Sequence, residues 1–371
     1  RTGYVQDICR MTRTKNSGNR IPEIVIGDFV PKITLPDKTG KSVELTDQLI
    51  AGNTLVLWFL DEKPGKTDWQ KIDPFLEETQ SAEVLTFLIV CGRKSPKKAG
   101  SSNKKVTELY DEENAVRKLL SIAGPSIIVI DPNNRLAGID TPSNVNQIIN
   151  TCKSIHNDSE ALAANHQAPV MVMKDVLEPE LCAELLRYWD DGEKRADGVS
   201  LGSSSNSTAK KEIKKRNDVV LLDEALFNRV KARIVSRLAP ELIKAFHFRT
   251  ASMEALRIGC YDAAEEGHFA RHRDNRTTFT AHRRFAVSLN LNAIDYEGGQ
   301  VRFPEYGRTL YAPPPGGALV FSCSLLHEAV PVTKGKRFAI FTFLTDEAGA
   351  LAERKMMAER NKQLTPFSMK S

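Results

Sequence analysis

The sequence predicts an α/β sandwich followed by an all-β jelly roll or barrel with helices packed outside it. Three observations carry this reading. Apolar runs alternate with helical patterns up to about residue 155, and a polar stretch follows at 153–167. Beyond that stretch the order reverses, helices first and then short strands broken by Gly, Pro and Asp. With 371 residues, 41% of them hydrophobic and 27% charged, the chain can bury more than one core. Disordered, collagen-like and coiled-coil classes are excluded.

In the first part, TLVLWFL at 54–60, VLTFLIVC at 84–91 and SIIVI at 126–130 read as strands buried on both faces. Helical spacing is expected at 68–79 and 105–120, and at 144–152 after Pro142. KSIHNDSEALAANHQ at 153–167 reads as the linker. The second part opens with helices at 178–189, 223–238 and 240–246. About eight antiparallel strands are expected at 252–262, 268–274, 284–292, 299–303, 308–312, 317–323, 325–332 and 337–344. The Ser-, Gly- and Lys-rich stretch 192–217 reads as a mobile excursion, with KKEIKKR at 210–216 a solvated charge run. These patterns set the expected boundaries: domains at 22–152 and 168–347 (core 252–345), and a helical tail at 348–371.

The longest apolar run, around Leu55–Leu60, is too short to span a bilayer. A net charge of +5 and no interleaved aromatics give no nucleic-acid surface. The six cysteines, at 9, 91, 152, 182, 260 and 323, are scattered without any Cys-x-x-Cys pair, which fits a reducing compartment. The expected location is cytoplasmic. The chain begins at Arg1, so an upstream targeting signal stays open, although residues 1–20 lack the apolar centre of a secretory peptide.

The chemistry concentrates at 267–275, GHFARHRDN. On a strand, Ala270, His272 and Asp274 share one face while Arg271 and Arg273 point the other way. A His-x-Asp pair supplies two adjacent metal ligands, and His327, in LLHEAVPV, is the candidate third. Two imidazoles and one carboxylate leave three positions open, an arrangement that suits non-haem iron(II) and oxygen. Arg337 follows beyond a Lys334-Gly335 turn, where a guanidinium can grip a carboxylate through two parallel hydrogen bonds. A lone His-x-Asp is usually structural; the downstream His and Arg raise the metal reading. His268-x-x-x-His272 lacks the glutamate a zinc protease needs, His282 reads as a solvated loop residue, and His156, His166 and His247 read as linker or surface.

Together these residues resemble the 2-oxoglutarate- and iron(II)-dependent dioxygenases of the prolyl 4-hydroxylase-like branch. The resemblance runs along 252–345, through Tyr261, His272-x-Asp274, RFAVSLNLN, Gly298-Gly299 and HEAVPVTKGKRFAIFTFL. It implies a double-stranded β-helix and iron held by His272, Asp274 and His327. It also implies 2-oxoglutarate bound by Arg337 and Tyr261, dioxygen, and ascorbate as an accessory. The reaction implied is hydroxylation of a C–H bond, releasing succinate and CO2, with no catalytic side chain beyond the metal ligands. Asp274 disfavours halogenation, which needs a small residue there. Prolyl hydroxylases usually carry Lys at the Arg337 position, Asn290 stands where an aromatic is frequent, and Gln300 where Glu is common. The substrate therefore need not be proline; it is a protein or peptide side chain or a small molecule.

Residues 22–150 resemble the peroxiredoxin branch of the thioredoxin fold, through GDFVPKITLPDKTGKSVELTDQLIAGNTLVLWFL and Gly124-Pro125, Pro125 matching that fold's cis-proline. The turn DEKPGKTDWQ keeps Pro64 and Thr67 but has no cysteine, so this half reads as redox-inert. Scaffold, dimerisation surface and substrate-presenting module stay open as its use. The alternatives are a thiol-redox protein with a regulatory metal-binding jelly roll, and a binding module with a relic iron site.

Overall fold

The computed structural model describes residues 24–97, 106–160, 167–196, 214–292 and 295–364. The first half opens with a small antiparallel pair, β1 (Thr34–Pro36) and β2 (Ser42–Glu44). Then come β3 (Leu55–Leu60), α1 (Lys66–Glu78), β4 (Leu85–Cys91), β5 (Thr107–Asp111), α2 (Ala115–Leu119), β6 (Ser126–Ile130), β7 (Leu136–Asp140) and α3 (Val145–Glu160). The longer strands form one mixed sheet in the order β5-β4-β3-β6-β7. β3, β4 and β5 run parallel, while β6 is antiparallel to β3. Both faces of β3 and β4 are covered, which is why those segments read as unbroken apolar runs. On one face Trp58 and Ile127 pack on Ile72 and Phe75 of α1 and Ile148 of α3. On the other, Leu57, Phe59 and Ile89 lie under Val30, Leu35 and Val116 of α2.

Three expectations for this half are corrected. Residues 107–111 form the edge strand β5 rather than helix, because pairing beside β4 buries Leu109 and Tyr110 completely; tertiary burial overrides a charge-rich helical spacing. The helix expected at 144–152 runs on to Glu160, so the start of the linker is helical, while 161–166 lie outside the described residues. Pro125 is preceded by a trans bond, as no cis peptide occurs among the described residues.

The second half begins with β8 (Met171–Met173), α4 (Pro179–Asp191), β9 (Arg195–Ala196), β10 (Lys214–Lys215) and β11 (Asn217–Val220). Two helices, α5 (Glu224–Arg233) and α6 (Ala239–Phe246), are joined by a π-helical stretch, Ile234–Leu238. The strands β12 (Ser252–Met253), β13 (Arg257–Asp262), β14 (His268–His272), β15 (Phe285–Asn290), β16 (Tyr296–Gly298), β17 (Val301–Arg302) and β18 (Leu310–Tyr311) follow. β19 (Ala318–Ser322), β20 (His327–Ala329), β21 (Val332–Thr345) and the terminal helix α7 (Glu347–Leu364) complete the order. The larger sheet runs β8-β19-β15-β21-β13-β11-β9, with β12 and β16 also pairing with β21. The smaller runs β10-β14-β20-β17-β18.

Period-two alternation sorts the large sheet's side chains. Ile258, Cys260, Val287, Leu289, Ile340 and Leu344 face outward, where Leu185 of α4 and Leu226, Val230 and Leu242 of α5 and α6 cover them. Tyr261, Ala286, Ser288, Phe321 and Arg337 face inward and line the space shared with the small sheet's His272 and His327. All eight expected regions hold strands: 252–262 divides into β12 and β13, 337–344 lies within the longer β21, the others are shorter, and β8, β9, β10, β11 and β16 fall outside the expected set. Lys334-Gly335 is not a turn between strands: it lies inside the 14-residue β21, with Gly335 opposite Tyr296 of β16. The expected excursion at 192–217 is also only partly so. Residues 197–213 lie outside the described set, whereas β10 and β11 are strands and Lys214 and Arg216 are buried. Of the expected tail, 365–371 lie outside the described residues. No helix among the described residues is long and apolar enough to cross a membrane.

The halves meet at the turn after β2. Asn53 accepts a 3.0 Å hydrogen bond from Arg271, and Arg308 pairs with Glu83 at 3.1 Å. Gly52 has φ +78°, and a Cβ there would stand 2.6 Å from Pro304 Cβ and 3.0 Å from Leu326 Cδ2. Gly52→Val should therefore cost about 2 kcal/mol or more, from strain at positive φ and from overpacking. Thermal unfolding measures this; an unchanged midpoint would show that the contact is slack.

Candidate metal centre

The site starts from one cross-strand pair: His272 ends β14, His327 begins β20, and the two are directly opposed in the ladder. Their ring centroids are 4.2 Å apart. Each Nδ1 lies near a carbonyl of its own strand, His272 at 2.8 Å from Ala270 O and His327 at 3.1 Å from Leu325 O. With Nδ1–H donating there, both Nε2 lone pairs are free to face the third residue. That residue is Asp274, just past the end of β14, fixed by its backbone N–H donating to Cys323 O. Its carboxylate oxygens stand 3.4 Å from His272 Nε2 and 3.5 Å from His327 Nε2. Ligands at right angles around an ion about 2.1 Å away lie about 3 Å apart, so the spacing suits one cation.

The electrostatics agree. Burial would push the Asp274 carboxyl up, but His327, the His272 hydrogen bond and charge, and Arg283 hold it down at about 2. Burial drives the His327 imidazole down to about 4, and neighbouring His272 adds to this. Near neutral pH the centre is thus one carboxylate beside a neutral imidazole, acceptor atoms converging where a cation would satisfy them. Aromatic rings fix the imidazoles: Phe269 stacks on His272 at 3.5 Å between centroids, and Phe321 meets His327 at 4.5 Å.

The same cavity, about 540 Å³, also holds Arg337 and Tyr261. They are cross-strand partners on β21 and β13, each only 2% exposed. Arg337 donates to Asn290 Oδ1 at 3.2 Å, Gly299 O at 2.8 Å and Ser288 Oγ at 3.1 Å. A guanidinium has five N–H groups, so one on each terminal nitrogen remains for a ligand. Its face lies 5.6 Å from the Tyr261 ring centroid. The Tyr261 hydroxyl accepts from Arg216 Nη1 at 3.3 Å, and Arg216 in turn makes two 2.6 Å bonds to Asp218. Gly259 opens the room for that pair, since a Cβ there would meet Asp218 Oδ1 at 2.6 Å.

Sequence reasoning therefore names the residues that come together here, and misses others. Strict alternation fails on β14: a register shift between Phe269 and His272 places Phe269 beside the imidazole, and Arg273 also lines the cavity. A bulge leaves no compositional mark. Arg216, read as part of a solvated run, is buried, and Asn290, read as a departure, orients Arg337. His268 stays out of the metal group, its Nδ1 at Glu266 O, on a strand rather than a helix. His282 is not a solvated loop residue: it is buried, 3.2 Å from Glu254. His156 is on α3, His247 closes α6, and His166 lies outside the described residues.

Two histidines, a carboxylate and a buried arginine thus face one cavity between two inward-facing sheets. Residues 256–345 match the 2OG-Fe(II) oxygenase superfamily, and the C-terminal region carries a domain of that superfamily. Procollagen-lysine,2-oxoglutarate 5-dioxygenase 1 of Bos taurus is 30% identical over 115 residues, which are 30% of this chain and 15% of that protein. The chain thus spans only a small part of that relative. A Trichoplax adhaerens prolyl hydroxylase, solved with a hypoxia inducible factor peptide fragment, is similar with TM-score 0.38 and 18% identity, covering 52% of this chain and 90% of that one. The thiol:disulfide interchange protein DsbE of Chlorobium tepidum gives TM-score 0.31 and 17% identity, over 36% of this chain and 99% of that one.

The thiols show the opposite character to the metal group. Burial pushes Cys91 and Cys182 up to about 11, Cys152 and Cys260 up to about 12, and Cys323 well above its ordinary value. At pH 8 these five stay protonated, so iodoacetamide should leave them unmodified in the native protein and label them after unfolding; rapid labelling of Cys91 in the folded state would contradict this. Replacing Asp274 by Ala should weaken cobalt(II) binding at least about tenfold, since a ligand is lost outright. Titration of the cobalt absorption band checks it, and undiminished affinity would remove Asp274 from the ligand set.

Proposed function

We propose that the chain is an iron(II)- and 2-oxoglutarate-dependent dioxygenase that hydroxylates a C–H bond, releasing succinate and CO2. The substrate is a side chain of a protein or peptide, prolyl among the candidates, or a small molecule. The carrying observation is the convergence, in one cavity, of three metal-ligating acceptors and a buried arginine with N–H groups to spare. Iron and 2-oxoglutarate, when bound, supply the activated oxygen and the electrons the hydroxylation requires.

The chain's own part is binding and orientation. His272, Asp274 and His327 would hold the ion, and Phe269 and Phe321 keep their rings from turning. Arg337 would receive the far carboxylate of 2-oxoglutarate, its approach fixed by Asn290, Ser288 and Gly299. Tyr261 would wall the co-substrate from the side, held by Arg216. The inward apolar side chains exclude water, and no side chain is needed as a general base. In this reading the second half, 168–347, is a double-stranded β-helix, and the first, 22–152, a thioredoxin-like sandwich without redox activity, serving as scaffold or dimer surface. The rival thiol-redox reading finds no exposed thiol among the described cysteines.

The test is succinate formation that requires both iron(II) and 2-oxoglutarate. Arg337→Ala should raise the 2-oxoglutarate requirement at least about tenfold, the size of a lost charge-assisted hydrogen-bond pair, while metal affinity changes little. Purified iron-loaded protein that neither binds 2-oxoglutarate nor forms succinate ends the proposal; equal loss of metal and co-substrate in the variant ends the role given to Arg337.

A further inference from the structure

The charges lining the cavity do not balance once the proposed cofactors are counted, and the following rests on that reading of the site. An iron(II) ion, ionised Asp274, Arg337 and doubly charged 2-oxoglutarate sum to zero. Three other arginines of the wall are neutralised in place: Arg216 by Asp218, Arg273 by Glu305 at 2.6 Å, and Arg283 by Glu254 at 2.6 Å. Half-buried Arg257 and exposed Arg276 also line the cavity, and neither has a carboxylate within ion-pair distance among the described residues; Lys214 of the same wall shares Asp218 with Arg216 at 3.9 Å, and Asp47 adds one carboxylate, so the excess stays positive. Glu44, whose carboxyl Arg276 helps hold down, is itself tied to Lys32 at 2.7 Å. With that sum at zero, the co-substrate's charge leaves none over for Arg257. It lies four residues along β13 from Tyr261, the cross-strand partner of Arg337. At strand rise that is about 13 Å between Cα atoms, so Arg257 stands further along the same inner face.

A second feature belongs to the same cavity. Asp47 and Gln48, from the turn after β2 in the first half, also line it. That turn is held rigidly: Asp47 accepts from Leu49 N–H through its side chain at 3.0 Å and from Ile50 and Ala51 N–H through its carbonyl. A carboxylate and an amide presented by the first half can take N–H donors, while the arginines of the second half take an anion. Such a mouth matches a ligand bearing both, namely a carboxylate on an amide-containing frame.

We propose that the hydroxylated substrate is an acidic amino acid or peptide residue, whose carboxylate binds at Arg257 and Arg276 while its amide N–H groups meet Asp47 and Gln48. In this arrangement the first half is a wall of the active site rather than an appendage. Arginines favour anions through both charge and hydrogen bonding, and Arg257 is half-buried, so acid should bind in preference to amide.

The experiment is calorimetric titration of the full chain loaded with manganese(II) and saturating 2-oxoglutarate. The probes are N-acetyl-Gly-Glu-Gly-amide, its glutamine counterpart, and N-acetylglutamate. The expected result is binding of a glutamate probe at least about tenfold tighter than the glutamine peptide. That preference should be lost in Arg257→Gln and Arg276→Gln and largely kept in Arg257→Lys, with 2-oxoglutarate affinity retained in all three. A peptide that outbinds N-acetylglutamate identifies a peptide substrate, and the reverse order a free amino acid; either order supports the carboxylate site. Equal binding of glutamate and glutamine peptides overturns the proposal. So does unchanged preference in both glutamine variants, or no binding of any probe to protein that does take up 2-oxoglutarate. Failure of the parent protein to bind 2-oxoglutarate is a separate result, and it overturns instead the enzymatic reading beneath.

Discussion

The pairing of His272 with His327 across two strands of the small sheet is the constraint on which the site depends. Backbone hydrogen bonds set the distance between these strands, so the two imidazoles are brought together by the ladder and not by their own attraction. Once they are side by side, burial keeps His327 neutral, and a carboxylate placed between them at the strand's end completes a set of acceptors. A buried set of this kind is costly without a cation, and the surrounding fold compensates by rigid packing. The aromatic rings against each imidazole and the bond from Asp274 N–H to Cys323 O belong to that packing.

The large sheet provides what the small sheet lacks. Its outer face is closed by α4, α5 and α6, which leaves the inner face free to carry polar groups. Arg337 is nearly buried there because each of three acceptors offsets part of the desolvation of a guanidinium. The Arg216–Asp218 pair is a second buried ion pair on the same face, seated in the notch left by Gly259. The inner surface therefore carries several paired charged groups, with Lys214 sharing Asp218 and with Arg257 and Arg276 lacking a carboxylate partner among the described residues.

Much of this was legible in the sequence, because the chemistry imposes fixed residue types at fixed strand positions. His-x-Asp, the distant His327 and Arg337 carry the site, and unbroken apolar runs at 54–60 and 84–91 carry the first sheet. What stayed hidden depends on contacts distant in sequence. Thr107–Asp111 is a strand only because β4 lies beside it. Lys214 and Arg216 look like a solvated charge run until β11 pairs with β13 and Asp218 is brought to the guanidinium. Phe269 reaches His272 through a register shift that no side-chain pattern encodes. Asn290 looked like a loss of aromatic packing, and its function emerges only with Arg337 opposite.

The junction at Gly52 and Asn53 has a mechanical meaning. Asn53 holds Arg271, the residue before His272, and Gly52 presses near Leu326, the residue before His327. The first half thus grips both ligand strands one residue upstream of each imidazole. Two strands clamped at matched points cannot slide past each other without dragging the sandwich along. The ladder sets the separation of the imidazoles, and the first half braces the two strands that carry it.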